Sequence, residues 1–163
     1  MKAPRALGAY GVTLVLGLFG ASGLMRSCTP PATVGAPMPI AAQCVQMVNQ
    51  ERAAAGLAPV TSHPAVQKAA ELHSADQATR NKMTHTGSNG SNAGRRISAQ
   101  GYNWATWGEN VAAGQPDCTS VMGAWMASSG HRANILNPSM TEIGIGAVTA
   151  TNGTIYWTMD VAA

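Results

Sequence analysis

Charge is scarce in this chain. Charged residues fill 10% of its 163 positions and aromatic residues 5%, with a single phenylalanine. The formal net charge is +3, but three of the ten basic residues, Lys2, Arg5 and Arg26, precede the region that reads as folded. The remaining seven face seven acids, so that region is neutral and gives no reason to expect a nucleic-acid partner. Several motifs are missing too. There is no G-x-S-x-G elbow, no phosphate-binding P-loop, no G-x-G-x-x-G after a strand and no H-E-x-x-H helix. These absences remove the common serine-hydrolase, nucleotide-binding and zinc-peptidase signatures. No internal repeat is present, and the length suits one domain.

The N-terminus predicts export. Lys2 and Arg5 precede an uncharged stretch from Ala6 to Met25, followed by small residues. This is the pattern of a secretory signal. The stretch is also about as long as a membrane span, roughly 20 residues, so an uncleaved anchor is the alternative. Arg26, in "LMRSC", argues against lipidation of Cys28. Residues 26–40 hold four prolines and no periodicity, which marks a linker. The expected organisation is a signal peptide or anchor over 1–25, a Pro-rich linker over 26–40 and one domain over 41–163. Membrane contact is expected only through that first segment, and the domain is expected to be a secreted or envelope-associated monomer.

Two cysteines fall in the domain, Cys44 and Cys118. In an oxidising compartment they are expected to pair. The bridge would close a loop of roughly 75 residues, worth about 4 kcal/mol in the chain-entropy picture. The alternative is two buried free thiols. Zinc is not expected at this pair, because no C-x-x-C spacing accompanies it.

The periodicity changes along the domain. "AAQCVQMVNQERAAAG" repeats its apolar residues at helical spacing and stops at Gly56. "SHPAVQKAAELHSADQATRNK" reads as a second helix, with Ser62 as cap, Pro64 in its first turn, and Val66, Ala69, Ala70 and Leu72 along one side. Residues 83–102 are mostly loop, with a short helix over 93–100. "TSVMGAWMASS" and "SGHRANIL" are helical, the first capped by Asp117 or Thr119 and the second stopped by Asn137-Pro138. The C-terminus then alternates, and Asn152-Gly153 between "EIGIGAV" and "TIYWTMDV" signals a hairpin. Four or five helices, a hairpin and one further strand make an α+β chain.

The four histidines are the main chemical candidates. His63, beside a helix cap, reads as surface. His73 reads as a helix-surface contact to Asp76 at i,i+3 spacing. Arg95-Arg96 reads as a solvated loop, and Arg132 as a surface or loop-tethering residue. His85 in "MTHTGS" and His131 in "SSGHRANILNP" lie where loops meet helix ends, which is where functional residues concentrate. Trp125 and Trp157 are expected in the core. Trp104 and Trp107 are expected beside a cleft.

"MTHTGSNG", "WGENVAAGQ", "AWMASSGHRANILNP", "IGIGAV" and "YWTMD" occur in this order, after "VNQERAAAGLAPV" and "HSADQA". Over roughly residues 43–161 the chain resembles the bacterial branch of the CAP superfamily, which includes cysteine-rich secretory, antigen-five-like and pathogenesis-related proteins. The resemblance implies an α–β–α sandwich, extracellular placement and a cleft of histidines and acids. Position by position it assigns that cleft to His85, Glu109 and His131. Many eukaryotic members carry a second acid three residues before the second histidine, where this chain has Ser128.

Two imidazoles such as His85 and His131 can hold zinc or another divalent metal, and Glu109 can ligate it or orient its water. Without metal, Glu109 is expected to hydrogen-bond His131 and raise its pKa. Alternatively, Glu109 and Asn110 only tie loops to backbone N–H groups, and Asn134 bonds backbone near its helix end. Three functions follow from the resemblance. One is a binding module for a metal, peptide, small molecule or lipid. The second is a zinc hydrolase of peptide or envelope amide bonds, with Glu109 and His131 catalytic. The third is a structural envelope protein. The serine at 128 in place of an acid favours binding over catalysis.

Overall fold

The central element is a hairpin, and its glycines determine what can pack on it. The computed structural model describes residues 38–163, so the leader, Cys28 and nearly all of the linker lie outside the described residues. Strand β3 (Glu142–Thr149) turns into β4 (Ile155–Ala162) through Gly153, whose φ is 84°. Asn152 closes the turn by accepting from the Thr154 N–H. Strand β2 (Trp107–Ala113) pairs antiparallel with β4, and β1 (Thr61–Ser62) pairs parallel with β3. The order is β1-β3-β4-β2, which leaves β2 on an edge. The expected antiparallel sheet thus gains a two-residue parallel strand.

Alternation along β3 separates two kinds of face. Ile143 and Ile145 point one way and are fully buried. Gly144 and Gly146 point the other way, under helix α2 (Pro64–Arg80). A Cβ built on Gly144 would lie 2.3 Å from the Gln67 nitrogen, and one on Gly146 would lie 2.5 Å from the Ala70 oxygen. The helix backbone therefore rests on the strand backbone. Gln67 completes this contact by exchanging two hydrogen bonds with the Ile145 main chain, of 2.8 and 2.9 Å. Facing the sheet, α2 buries Val66, Ala69, Ala70, His73, Ser74 and Gln77. Ser74 and Gln77 both donate to the Thr158 hydroxyl. Leu72, expected on this face, is 46% exposed, because the close approach admits only small or hydrogen-bonding side chains there. The cap of α2 is His63, whose Nδ1 accepts from the Ala65 N–H, rather than Ser62.

The opposite face carries helices α1 (Ile40–Ala54), α4 (Cys118–Ala127) and α5 (Ser129–Ile135). Here lies the main apolar core, including Val48, Val121, Met122, Trp125, Ile135, Ile143, Ile145, Trp157, Met159 and Val161. Cys44 and Cys118 form a disulfide between α1 and α4, with Cα atoms 5.2 Å apart. Arg52, buried at the end of α1, donates to the carbonyls of Ala58, Ile135, Asn137 and Met140. Helix α3 (Ala93–Ala99) is capped by Asn92 and packs beside α2, and α4 is capped by Asp117. The result is the α–β–α sandwich the resemblance implied. Among the described residues no helix is long and apolar enough to cross a membrane.

Candidate functional site

The edge strand β2 carries the site, and its alternation sorts the residues of "GEN". Glu109 lies opposite Asp160, which lies opposite Gly144, so Glu109 belongs to the α2 face. Gly108 and Asn110 belong to the α5 face. A Cβ on Gly108 would meet the Asn134 Oδ1 at 2.8 Å. Asn134 donates to the Glu109 carbonyl and to the Asn110 side chain, and Asn110 donates to the His131 carbonyl. These bonds fasten α5 to the strand. They run to carbonyls, whereas the sequence suggested N–H partners.

Glu109 is where the charges converge. Its side chain is only 3% exposed. One oxygen accepts from His85 Nδ1 at 2.8 Å. The other accepts from the Arg96 guanidinium and lies 3.8 Å from His73 Nε2. Arg96 also donates to the carbonyls of His85 and Ser91, so it fixes the loop that presents His85. Arg96 is therefore a largely covered counter-ion, its side chain 10% exposed, and not the solvated loop residue its sequence position suggested. Arg132 is exposed, as expected.

The expected bond from Glu109 to His131 is absent. Glu109 points to the α2 side of the sheet, and His131 sits on α5, on the other side. The pKa of His131 is lowered, first by burial and then by electrostatic interaction with His85, rather than raised. The two histidines thus lie toward the β2 edge from opposite faces of the sheet. Ser128 ends α4 and starts α5 without a side-chain cap bond. A cavity of about 310 Å³ opens at this edge, lined by His85, Asn92, Ala93, Trp107, Gly108, Glu109 and Asn134. Trp104 packs edge-on against Trp107, so one of the two expected tryptophans lines the cavity and the other supports it.

Two members of the site escaped sequence reasoning. His73 is buried, not a surface contact, and its Nε2 lies 2.7 Å from the Thr84 carbonyl. That partner accepts, so Nε2 carries the proton. Its stripe with Ala69, Ala70 and Gln77 was the signal available in the sequence. Asp160 is fully buried and neither of its oxygens has a donor. Burial, then the adjacent Glu109 carboxylate, pushes its pKa well up. An acid inside an otherwise apolar strand was the sign.

Stability should fall on acidification because of the histidines. Burial and then Arg96 hold the His73 pKa below its ordinary value, and burial acts likewise on His131. An unfolded histidine protonates at about 6.5. Below that pH the unfolded chain takes up protons that the folded chain refuses, so stability drops as pH falls from about 6.5 toward the lowered folded values. Asp160, with its raised pKa, contributes with the opposite sign above ~3.9. Urea midpoints measured from about pH 7.5 to 5 should therefore show a smaller acid loss in His73→Gln than in wild type. Equal slopes would mean His73 is not held neutral.

The cysteine-rich secretory protein family (CAP) is matched over residues 45–161. The uncharacterized protein YkwD of Bacillus subtilis is 36% identical over 119 residues, covering 71% of this chain and 46% of that protein. The uncharacterized membrane protein YlbC of the same organism is 27% identical over 104 residues, covering 64% of this chain and 30% of that protein. This chain thus spans less than half the length of these curated relatives. Among solved structures, an extracellular protein containing an SCP domain from Bacillus anthracis superposes with a TM-score of 0.68 at 22% identity, covering 78% of this chain and 45% of that one. An outer surface protein from Borrelia burgdorferi superposes at 0.67 and 19%, covering 74% of this chain and 90% of that one. At such identities the likeness is one of fold.

Proposed function

The chain belongs to the cysteine-rich secretory protein family, and on that basis we propose that it is a secreted or envelope-exposed binding module whose histidine cleft takes a divalent cation such as zinc together with a small ligand. Extracellular placement is supported by the Bacillus anthracis and Borrelia relatives, described as an extracellular and an outer surface protein, and by the internal disulfide.

The observation that carries the reading is the bond from His85 to Glu109. It places the Nδ1 proton of His85 on the carboxylate and leaves Nε2 to the solvent side, the arrangement in which a carboxylate orients a metal-binding imidazole. His131, kept neutral by its lowered pKa, offers the second nitrogen. Among the described residues no three His, Cys, Asp or Glu side chains converge on one ion position. Zinc held by His85 and His131 would therefore keep open positions for water or a ligand, where it would act as a Lewis acid.

The same geometry disfavours hydrolysis with Glu109 as base. A base must reach the proton it removes, and the nearly buried Glu109 is committed to Arg96 and His85. Calorimetric titration with zinc should show one site, abolished in His85→Ala and in His131→Ala. Glu109→Gln should keep the site but weaken it by about 10- to 100-fold, as loss of an orienting partner does. Equal binding by wild type and both histidine variants would end the metal reading. Peptide hydrolysis lost specifically in Glu109→Gln would replace the binding module with the hydrolase.

A further inference from the structure

The cavity at the β2 edge has main chain for its floor. Its walls come from both faces of the sheet, His85, Asn92 and Ala93 on the α2 side and Asn134 on the α5 side, and the strand between them is Trp107, Gly108 and Glu109. In an antiparallel ladder, residues that bond across alternate with residues that point their N–H and C=O away. Thr106 and Ala163 exchange both bonds, and at the far end Gly114 donates to the Ile155 carbonyl. Given the register of β2 on β4, the even-numbered residues of β2 therefore bond to β4. The odd-numbered ones, Trp107, Glu109, Val111 and Ala113, turn their main-chain groups to the free edge.

Side chains already take part of this edge. Asn134 Nδ2 donates to the Glu109 carbonyl, and Trp125 Nε1 donates to the Val111 carbonyl. The Asn134 carboxamide is a peptide-like group, so it makes one of the bonds that a further strand would make. Trp107 has no such cover. Among the described residues its N–H has no acceptor and its C=O no donor. Its indole N–H is also unpaired, whereas those of Trp104, Trp125 and Trp157 all donate to oxygens. Glu109 is the one acid in the lining, and it is taken by Arg96 and His85, so nothing there calls for a charged ligand.

We propose that this cavity binds an extended, uncharged stretch of peptide as an added strand on Trp107. Alternate N–H and C=O groups of the peptide meet the C=O and N–H of Trp107 and the outward N–H of Glu109. The two N–H groups repeat every second residue, about 7 Å apart, and an extended chain offers carbonyls at that same interval. Sugar hydroxyls carry no such fixed repeat. Main-chain pairing supplies the affinity and asks little of the side chains. The walls leave room for one chain and hold a second sheet away from the edge. The proposal names the small ligand of the histidine cleft and rests on that reading for the cleft being a binding site, but the pairing needs no metal.

The probe is the uncharged peptide N-acetyl-Ser-Val-Ser-Val-amide, titrated into the isotope-labelled protein in EDTA and followed by NMR. Saturable shifts are expected at the Trp107 and Glu109 amides and the Trp107 indole, and hydrogen exchange of the Trp107 amide should slow. Methylating both serine or both valine nitrogens leaves one edge of the peptide intact, so at least one of these two versions should still bind. Methylating all four blocks both edges and should weaken binding by about tenfold or more. Absence of saturable shifts at Trp107, or equal binding of the fully methylated peptide, would overturn the added strand. The same shifts on concentrating the protein alone would give the edge to a second copy of the chain and overturn the peptide. Zinc calorimetry keeps the two readings apart. Peptide shifts in a protein without a zinc site would end the metal reading and leave this one, and a zinc site without peptide shifts would do the reverse.

Discussion

Replacing Gly144 with alanine should unseat α2 from the sheet and cost at least about 3 kcal/mol, the upper end of what overpacking does. For a domain of this size that is a fall of roughly 10 °C in melting temperature. The added Cβ would stand 2.3 to 2.4 Å from the main chain of Val66 and Gln67. No rotamer change relieves that contact, because both partners are backbone. Helix and strand must separate, and with them go the paired bonds of Gln67 to Ile145 and the contacts of Ser74 and Gln77 with Thr158. The candidate site should suffer too, since α2 carries His73 beside Glu109. Gly123→Ala is the control. Gly123 lies within helix α4, and an added methyl there would meet no atom within 4 Å. That change should raise stability by about 0.5–1 kcal/mol. Thermal unfolding of the two variants decides the matter. A Gly144→Ala protein as stable as wild type would show that the helix–sheet contact yields more readily than close packing allows.

Arg52→Met should be comparably damaging, by about 3–5 kcal/mol, even though no acid partners this arginine. Arg52 is 1% exposed, and its burial lowers the pKa of the guanidinium. Four carbonyls compensate, from Ala58 after α1 and from Ile135, Asn137 and Met140 around the end of α5. Methionine fills much of the volume but leaves those acceptors without a donor, and an orphaned buried carbonyl costs more than a solvated one gains. Arg52→Lys should fall between, since an ammonium is a point charge and cannot span the same fork of acceptors. The loop after α5 should loosen first. Because α5 carries His131, the zinc binding proposed above should weaken in Arg52→Lys even where the domain still folds. Urea unfolding followed by zinc titration tests both halves. A loss below about 1 kcal/mol for Arg52→Met would mean that water reaches those carbonyls.

The resemblance implied that His85 and Glu109 belong together, and the structure joins them by a hydrogen bond. Nothing in the order of residues points to the partner that matters most to Glu109. Arg96 sits in a seven-residue helix whose exposed and buried positions are close to evenly mixed, so periodicity could not separate it from its neighbour Arg95. The expected pairing of Glu109 with His131 failed for a reason of parity. In "GEN" the middle residue faces away from both of its neighbours, and only strand pairing reveals that α5 packs on the neighbours' side.

Features that are local and periodic could be read from residue order. The Asp117 cap of α4, the Asn-Gly turn, the alternation of "IGIGAV" and the buried tryptophans follow from conformational preference and hydrophobic spacing, which act over a few residues. The disulfide also follows, since only two cysteines lie in the domain. Which polar groups share a low-dielectric space was settled only when the elements packed. His73, Arg96, Glu109 and Asp160 come from separate helices and strands, and their protonation and pairing depend on the distances left when α2 settles on two glycines. Electrostatic energy depends on separation and burial, and neither is written in the order of residues along the chain.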